Sequence, residues 1–376
     1  MACFHPNYVV MREGQAQFRG SAEYLKSGDL FYDNAANFHT LVPCGHCMGC
    51  RLDRSRVWAD RMLLELQDND YKAIFVTLTY NNESLPIVER HAGYYRLPND
   101  FEYTGFDEDE FWCLDAAGYP SAPATLNVRD TQLFFKRLRK AFPDRKLRYF
   151  LAGEYGPKTQ RPHYHAIIYG LEISDFKDCR ILKFNDLGQA IYKSRFFENI
   201  WKLGFCSIAP VNWNTCAYVS RYTMKKIYKS DDSSAYSDGR LPPFCTMSRR
   251  PGIGLKRADE LLKNGDKAFV RDENGVHEVY LGRSFIRSAS RRHLKNIFNA
   301  DEAHQSAVIH REFPIVSWLY ARQTERARNS ILRSATNLAA LDCTVKKFYE
   351  GKETYFLQRI KLLPERGDLF EKATAC

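Results

Sequence analysis

The chain has 376 residues, 44% of them hydrophobic and 27% charged, which is enough for two or three structural units with a substantial core. It has 55 Lys and Arg against 45 Asp and Glu, and this net charge of +10 permits binding to a polyanion without proving it. No apolar run reaches the length of a membrane span, the first residues lack a signal-peptide pattern, and there is no GxxxxGK[ST] motif. These absences argue against a membrane protein, a secreted protein and a P-loop motor.

The first predicted feature is a cysteine cluster near the start of the chain. Cys44, Cys47 and Cys50 have the spacing of a tight metal knuckle, and a fourth ligand would complete a tetrahedral zinc site. Cys3 is the candidate fourth ligand and His46 is the alternative; three unligated thiols around a turn are the other interpretation. An odd total of 11 cysteines without a secretory signal indicates reduced thiols in a cytosol.

Three elements and one insertion are predicted next. The apolar spacing of residues 53–67 predicts a helix with Val57 among its inward-facing residues. The β-branched and aromatic run at residues 72–80 predicts a central strand. Residues 81–126 are interpreted as a surface insertion rich in loops, and residues 127–142 predict a second helix.

The middle of the chain predicts a β-hairpin. Apolar runs at residues 149–152 and 166–169 flank a connection of Gly, Pro, Lys and Gln. His163 and His165 are two residues apart on the second strand, so their imidazoles leave the same face. If the strands pair, the carboxylate of Glu154 can approach both. Two imidazoles and one carboxylate form an open site for a divalent metal ion, although a His-x-His pair alone is more often an ordinary polar pair.

The hairpin is followed by a connector, a helix, a strand and a further helix. Residues 176–187 are interpreted as the connector, residues 194–203 as the helix and residues 205–211 as the strand. The order of these elements fits an antiparallel sheet with helices packed on it, an α+β fold.

The further helix carries two tyrosines and two lysines. Tyr218 and Tyr222 are four residues apart, which is one helical turn, so both phenols lie on one face. Lys225 falls on the same side as Tyr218, and Lys226 lies one turn beyond Tyr222. The alternative is that one tyrosine packs into the core with its hydroxyl hydrogen-bonded.

The last third of the chain is predicted to be basic and mainly helical. Residues 254–264 predict a short helix, residues 269–281 a hairpin with an Asn-Gly turn, and residues 315–363 a largely helical segment. A helix predicted at residues 283–298 carries a stripe of cations, which either binds DNA phosphates or forms a salt-bridged surface. The stripe consists of Arg283, Arg287, Arg291 and Lys295.

Together these segments resemble the HUH endonucleases, in which a bulky residue separates two metal-binding histidines and a tyrosine attacks DNA. The similarity is closest to the two-tyrosine replication initiators of microviruses, of the gokushovirus type. It covers most of residues 1–255. The motifs that carry it are FVTLTY at 75–80, GEYGPKTQRPHYH at 153–165, YVSRYTMKK at 218–226, PCGHCMGCR at 43–51 and MSRRPGIG at 247–254.

The resemblance implies an organisation in four parts. These are an N-terminal cysteine-cluster segment with a helix at 1–71, an HUH endonuclease core at 72–230 with its insertion at 81–126, a linker at 231–246 and a C-terminal region at 247–376. The core would be an antiparallel β-sheet with flanking helices, and the first segment would contain a zinc-knuckle-like structure.

The resemblance also implies a reaction. Mg²⁺ or Mn²⁺, held by the glutamate and the two histidines, would polarise a phosphate oxygen. Attack by Tyr218 or Tyr222 would leave a 5′-phosphotyrosine and a free 3′-OH, and Lys225 or Lys226 would stabilise the phenolate or the leaving oxygen. The reaction is reversible, so the same protein can rejoin the strand.

The implied role is to start rolling-circle replication in the cytoplasm of a bacterial host. The partners would be single-stranded DNA, the origin in the phage replicative form, and the host helicase and DNA polymerase machinery. Two alternatives remain open. One is a relaxase or transposase with the same chemistry, and the other is a non-catalytic, zinc-containing nucleic-acid-binding protein.

Overall fold

The computed structural model describes residues 3–13, 15–34, 37–91, 94–96, 124–156, 159–185, 188–221, 240–263, 267–272, 275–281, 285, 314–341 and 344–361. Backbone contacts divide the chain into two compact units. The central unit comprises Ser55–Lys256 and Val270–His277, and the terminal unit comprises Met1–Arg54, Arg257–Phe269 and Glu278–Cys376. The fold is α+β with antiparallel sheets, as predicted. Among the described helices, none combines the length and apolar character that a bilayer span requires.

Strands and helices are labelled in chain order. The strands are β1 (Asn7–Arg12), β2 (Gln15–Ser21), β3 (Phe31–Asn34), β4 (Asn37–Val42), β5 (Ala73–Tyr80), β6 (Glu89–His91), β7 (Tyr94–Arg96), β8 (Arg148–Tyr155), β9 (Pro162–Tyr169), β10 (Arg180–Phe184), β11 (Ala190–Lys193), β12 (Gly204–Pro210), β13 (Phe244–Met247), β14 (Lys267–Asp272) and β15 (Gly275–Tyr280). The helices are α1 (Met48–Gln67), α2 (Val128–Ala141), α3 (Arg195–Trp201), α4 (Trp213–Arg221), α5 (Ala258–Lys263), α6 (Pro314–Ala340) and α7 (Val345–Lys361).

The central unit is built on a seven-stranded antiparallel sheet with the order β10–β11–β12–β5–β9–β8–β13. Residues of β5 alternate between buried and half-buried, because the two faces of the sheet have different neighbours. One face packs against α2 and α3 through Phe134, Phe197 and Trp201. On the other face, which we call the α4 face, α4 contacts β9, and Trp58 of α1 lies 5.3 Å from Phe150 between ring centroids.

Several predicted elements of the central unit are confirmed. The strand expected at residues 72–80 is β5, and the helix expected at residues 127–142 is α2. Asn127 caps α2, because its side-chain oxygen accepts a hydrogen bond of 2.9 Å from the backbone N–H of Arg129. The hairpin strands β8 and β9 are longer than the apolar runs that predicted them, since the polar residues beside the turn also pair.

Two segments interpreted as loops contain strands of the central sheet. Residues 176–187 were expected to be a connector, but they contain β10, which pairs with β11. All five residues of β10 are exposed, so this strand has no alternating pattern to predict it. Residues 231–246 were interpreted as a linker, but β13 begins at Phe244 and pairs with β8. It has only four residues and follows two prolines, which hid it among turn signals.

Helix α1 begins earlier and is rotated relative to its predicted orientation. It starts at Met48, inside the cysteine cluster, and not at residue 53. Val57 was expected to face inward, but 47% of its surface is exposed. The buried face instead includes Ser55, whose hydroxyl lies 2.8 Å from that of Ser220. Polar residues on the packed face shifted the apparent apolar stripe.

Buried polar contacts attach residues 251–254 to α1 and β8. Glu65 and Arg148 form a buried ion pair. The Glu65 carboxylate also accepts the N–H of Gly254 at 2.7 Å, and Arg148 donates to the carbonyl of Pro251 at 2.8 Å. Gly254 has φ +68, and a Cβ there would lie 2.2 Å from the carbonyl oxygen of Arg61, so only glycine fits. The RPGIG part of the sequence is therefore a packing element.

The terminal unit contains a sheet that the sequence analysis did not predict. Its order is β2–β1–β4–β3, and it packs against α6 and α7 through Leu30, Leu41, Ile331 and Tyr349. The run NYVVMR and the short turn after it were the available signals. Every residue of β2 is exposed, so the partner strand lacks the period of two that marks a half-buried strand.

The remaining predicted elements can be compared with the described residues. The hairpin expected at residues 269–281 is confirmed as β14 and β15. The helix expected at residues 254–264 is shorter and begins at Ala258, because residues before it form turns. Most of the predicted insertion lies outside the described residues; its described part includes β6 and β7.

Candidate metal centres and nucleophile

The register of the central sheet brings three predicted ligands together. Glu154 of β8 pairs with His163 of β9, and His165 pairs with Ala152. Directly paired residues in an antiparallel sheet project to the same face. Glu154 and both histidines therefore lie on the α4 face, as the alternation of side chains predicted.

Both imidazoles point the same ring nitrogen at one carboxylate oxygen. The Nε2 atom of His163 lies 3.0 Å from Oε1 of Glu154, and Nε2 of His165 lies 3.2 Å from the same atom. Their ligand atoms lie within 4.8 Å of one another, so the three side chains can hold a metal ion. Two nitrogens and one oxygen suit a divalent transition metal or Mg²⁺, and three protein ligands leave coordination positions open.

Hydrogen-bond acceptors behind the histidines favour this orientation. Nδ1 of His163 lies 3.1 Å from the backbone carbonyl of Arg161, and Nδ1 of His165 lies 3.1 Å from the hydroxyl of Thr77. A proton on Nδ1 leaves the Nε2 lone pair available to a metal ion, and metal-binding histidines commonly have such outer partners. The carbonyl of Arg161 can only accept, so it assigns the tautomer of His163.

Burial increases the need for a cation at this position. Glu154 and His165 are each 6% exposed, whereas His163 is half-buried. A buried carboxylate costs free energy unless hydrogen bonds or a positive charge compensate it. The donor set therefore fits a bound cation reached from one side.

The residue between the two histidines serves the opposite face. Tyr164 is fully buried, and its hydroxyl lies 2.9 Å from that of Tyr80 and 2.7 Å from the backbone N–H of Asn127. Tyr80 donates to Asp130 at 2.7 Å. Burial raises the pKa of both phenols, Tyr80 and Tyr164, far above the usual value. These tyrosines anchor the histidine strand to α2 and are poor candidate nucleophiles.

Tyr218 of α4 is the described tyrosine beside the candidate ligands. Its ring centroid lies 5.5 Å from that of His165 and 6.2 Å from that of Phe75, in edge-to-face arrangements. It is 41% exposed, whereas its neighbours Cys216 and Val219 are buried. The helix thus packs by one face and presents the Tyr218 ring to both His165 and solvent.

The other predicted members of this site lie outside the described residues. This applies to Tyr222, Lys225 and Lys226, which follow the end of α4 at Arg221. The predicted cation stripe also lies outside them. Its members are Arg283, Arg287, Arg291 and Lys295.

The cysteine cluster of the terminal unit has the geometry of a closed metal site. The sulfur of Cys3 lies 3.6 Å from that of Cys44 and 3.8 Å from that of Cys47, and the sulfurs of Cys44 and Cys50 are 4.0 Å apart. Four sulfurs each about 2.3 Å from a tetrahedral ion would be about 3.8 Å from one another. The four cysteines can therefore hold a metal ion.

The surroundings of the sulfurs support negative charge on the cluster. Backbone N–H groups of Phe4 and Cys47 donate to sulfurs at 3.3 Å. The hydrogen bond from Cys3 lowers the pKa of Cys47 to about 3, and the same contact raises the pKa of Cys3. Burial raises the pKa of Cys50 to about 11. One thiolate thus forms readily, and further thiolates need a cation.

The structure brings Cys3 into this group and not His46. His46 is exposed, and its backbone carbonyl accepts a hydrogen bond of 2.8 Å from Arg51. Cys3 is 1% exposed and reaches the other sulfurs from 41 residues away. The sequence offered both residues, and only the fold distinguishes them.

Two residues of the α4 face were missed by the sequence analysis. Phe75 stacks on His165 with ring centroids 5.6 Å apart, and Thr77 contacts the Nδ1 atom of that histidine. Both lie on β5, two residues apart, so the alternation of the strand places them on one face. Their relation to His165 depends on the pairing of β5 with β9, which separates the partners by 88 residues in the sequence.

Comparisons with known proteins point to one functional class. A family model for replication-associated proteins of the ORF2 type matches residues 110–227. The chain is 28% identical over 301 residues to "Replication-associated protein ORF2" of Spiroplasma virus 4, covering 77% of this chain and 81% of that protein. It is 28% identical over 253 residues to "Replication-associated protein VP4" of Bdellovibrio phage phiMH2K, covering 65% and 66%. It is 25% identical over 235 residues to "Replication-associated protein ORF4" of Chlamydia phage 1, covering 61% and 50%. No solved structure matches the chain.

Proposed function

We propose that this chain, whose similarity to the replication-associated proteins of microvirus-type phages is confirmed, initiates rolling-circle replication by nicking a single strand of DNA. In this proposal, the central sheet and α4 are an HUH endonuclease core. The matched segment 110–227 contains all three candidate ligands and Tyr218. The protein would act inside the host bacterium, where the phage genome is copied.

One observation carries this proposal. The two imidazole nitrogens converge on one oxygen of Glu154, and the exposed ring of Tyr218 lies beside His165 on the same face of the sheet. A divalent cation site next to a solvent-exposed phenol is the minimal equipment for a tyrosine to attack a phosphodiester. A protein that only binds DNA has no need for this convergence.

The residues would divide the reaction between them. Glu154, His163 and His165 would hold Mg²⁺ or Mn²⁺, and the bound ion would offset charge on a non-bridging phosphate oxygen. The oxygen of Tyr218 forms a bond to phosphorus as it loses its proton, and the bond from phosphorus to the 3′ oxygen breaks. The leaving 3′ oxygen takes up a proton and becomes a hydroxyl. The 5′ phosphate remains on the tyrosine, so the reverse reaction can rejoin the strand.

The residues beyond α4 are assigned the second half of a replication cycle. A second cut at the regenerated origin must occur while the first 5′ end is still attached to the protein. Tyr222 follows Tyr218 by one helical turn, or about 5.4 Å along a helix, and could make this cut at the same site. Lys225 or Lys226 would stabilise the phenolate or the leaving oxygen.

The cation stripe and the cysteine cluster have supporting roles in this proposal. Zn²⁺ at Cys3, Cys44, Cys47 and Cys50 would stabilise the terminal unit, because four thiolates close the coordination sphere. The stripe Arg283, Arg287, Arg291 and Lys295 would contact DNA phosphates. Host helicase and DNA polymerase would extend the released 3′ end, because the sequence has no P-loop motor.

The direct test is formation of a covalent adduct. Labelled single-stranded oligonucleotides that tile the phage origin region are incubated with the protein and Mn²⁺ or Mg²⁺, and the products are separated in denaturant. A labelled protein band that survives denaturation, and that EDTA prevents, is the expected result. The absence of an adduct with every oligonucleotide would favour the non-catalytic alternative.

Single Tyr→Phe variants test the two-tyrosine cycle. Tyr218→Phe and Tyr222→Phe should each retain some cleavage of a free oligonucleotide, because one phenol suffices for one cut. Both should fail to produce closed single-stranded circles from a substrate with two origins. Normal circle production by either variant would show that one tyrosine is enough.

A further inference from the structure

The row of side chains that contains two candidate ligands continues across two more strands. Glu154 on β8 pairs with His163 on β9, His163 pairs with Thr79 on β5, and Thr79 pairs with Phe205 on β12. Directly paired residues project to the same face, so all four side chains lie on the α4 face. Adjacent strands are about 4.8 Å apart, so Phe205 emerges about 10 Å from His163.

Phe205 is a large apolar side chain with little cover. It is 59% exposed, whereas the next residues of its strand on the opposite face, Cys206 and Ile208, are buried. Single exposed aromatic residues are common and need no explanation by themselves. The position of Phe205 is the informative observation, because it shares a row with Glu154 and His163.

The ground between the ring and the ligands suits a strand of nucleic acid. Thr79 has a short side chain, so it leaves a shallow depression between Phe205 and His163. Arg161 lies at the same end of the sheet, where its guanidinium donates to the carbonyl of Tyr80 at 2.8 Å and to the side chain of Asn82 at 2.9 Å. Proteins that bind single strands combine a cation for the backbone with an exposed ring on which a base stacks.

We propose that Phe205 is a stacking platform for one unpaired base beside the phosphodiester that is cut. The stacked base would fix the register of the strand and so determine which phosphate reaches Glu154, His163 and His165. This inference rests on the proposed nicking function, and it assigns a specificity-determining residue that does not take part in bond breaking. An apolar partner protein on the same ring is the competing occupant, and the experiment separates the two.

The test uses Phe205→Ala, the conservative variant Phe205→Tyr, and Phe18→Ala as a matched control. Phe18 lies on β2 and is 72% exposed. Adduct formation is measured on the oligonucleotide that wild-type protein cleaves best. Binding is measured in EDTA with the same oligonucleotide, which carries 2-aminopurine at successive positions around the cleaved bond. Stacking on a ring quenches this fluorescent base.

Phe205→Ala should raise KM and the dissociation constant about 5- to 150-fold, the range measured for loss of one stacked base, with a smaller fall in kcat. Quenching should be lost at one position, cleavage should spread to neighbouring bonds, and Phe205→Tyr should restore both properties. Phe18→Ala should behave as wild type. The thermal midpoint of Phe205→Ala should stay near that of wild type, because the ring is exposed.

Unchanged KM, quenching and cleavage position in Phe205→Ala would overturn the stacking platform and favour a protein partner, while the nicking function would stand. If wild-type protein forms no adduct but quenching still depends on Phe205, the nicking function fails and the base-binding role remains. The two failures are therefore distinguishable.

Discussion

The two candidate metal centres of this chain differ in ligand type, in access and in the way the fold assembles them. The cluster of Cys3, Cys44, Cys47 and Cys50 offers four sulfurs at tetrahedral spacing. Three of its members are buried, and Cys44 is half-buried. The site on the α4 face offers two nitrogens and one carboxylate, with His163 half-buried and the exposed ring of Tyr218 beside His165.

This contrast separates a site that holds a fold from a site that performs chemistry. Four protein ligands satisfy a tetrahedral ion and leave no position for a substrate, whereas three ligands leave positions for water or a phosphate oxygen. Sulfur ligands favour Zn²⁺, while mixed nitrogen and oxygen ligands also accept Mg²⁺ or Mn²⁺. Each centre therefore predicts a different consequence when one ligand is removed.

The largest expected effect is the loss of nicking when His165 is replaced by Ala. Metal ions contribute several kcal/mol to the stabilisation of charge in the transition state, so adduct formation should fall roughly a thousandfold. DNA binding should be largely retained, because most phosphate contacts lie elsewhere. Adduct yield and oligonucleotide binding are measured in parallel, with His46→Ala as the control at an exposed histidine. Equal adduct yields for His165→Ala and wild type would show that the site is structural.

Replacement of Cys47 by Ser should affect stability more than chemistry. Structural zinc contributes roughly 10 kcal/mol or more of binding free energy in small zinc domains, so the variant should lose one zinc per chain and unfold at a clearly lower temperature. Well below that temperature it should still form the adduct. Metal analysis and thermal unfolding provide the measurements.

Cys179→Ser is the matched control for the zinc prediction, since this half-buried thiol belongs to the central unit. It should keep the metal content of wild type. If purified wild-type protein contains no zinc and Cys47→Ser unfolds at the wild-type temperature, the cluster is a group of free thiols.

The two centres also differ in how far the sequence predicted them. The ligands of the α4-face site are local: a hairpin with alternating side chains is sufficient to bring Glu154 to His163 and His165. The cysteine knuckle is local as well, but its fourth ligand is 41 residues away. Thr77 reaches His165 only through a pairing of distant strands, and no local pattern encodes such a register.

The same distinction explains the fold. Central strand β5 and helix α2 have strong local patterns and were predicted. The exposed strands β2 and β10 have no buried face, so hydrophobic periodicity cannot indicate them. The buried Glu65 and Ser55 of α1 were not among the residues predicted to face inward, because their partners lie far away in the sequence.

A smaller effect is expected when the support of one ligand is removed. Thr77→Val keeps the shape of the side chain but removes the oxygen 3.1 Å from Nδ1 of His165. Loss of such an outer partner commonly weakens metal binding 10- to 100-fold, so the Mn²⁺ affinity should fall by about this factor. Thr77→Ser should restore it, since the hydroxyl returns. Binding of Mn²⁺ is followed by electron paramagnetic resonance without DNA. Identical affinities for all three proteins would show that Thr77 does not orient His165.

The smallest effect concerns Asp60 of α1, an acid that belongs to neither centre. Burial raises the pKa of this half-buried carboxyl to about 6 from its ordinary value of 3.8, although Arg56 and His277 lower it. A pKa that is higher in the folded state means that folding favours the protonated acid. This contribution to stability is complete below about pH 4 and is lost as the pH rises to about 6.

Asp60→Asn should remove this pH dependence, because an amide does not titrate. The full shift would correspond to about 3 kcal/mol, and solvent screening of a partly exposed group reduces the expected difference to roughly 1–2 kcal/mol. The variant should therefore be more stable than wild type at pH 8 and nearly equal to it at pH 4, as measured by urea unfolding across this range. Asp144→Asn, at an exposed residue after α2, should parallel wild type at every pH. Parallel curves for Asp60→Asn and wild type would contradict the shift. A divergence would show that a buried acid without converging ligands only destabilises the fold, and this is the difference expected between Asp60 and Glu154.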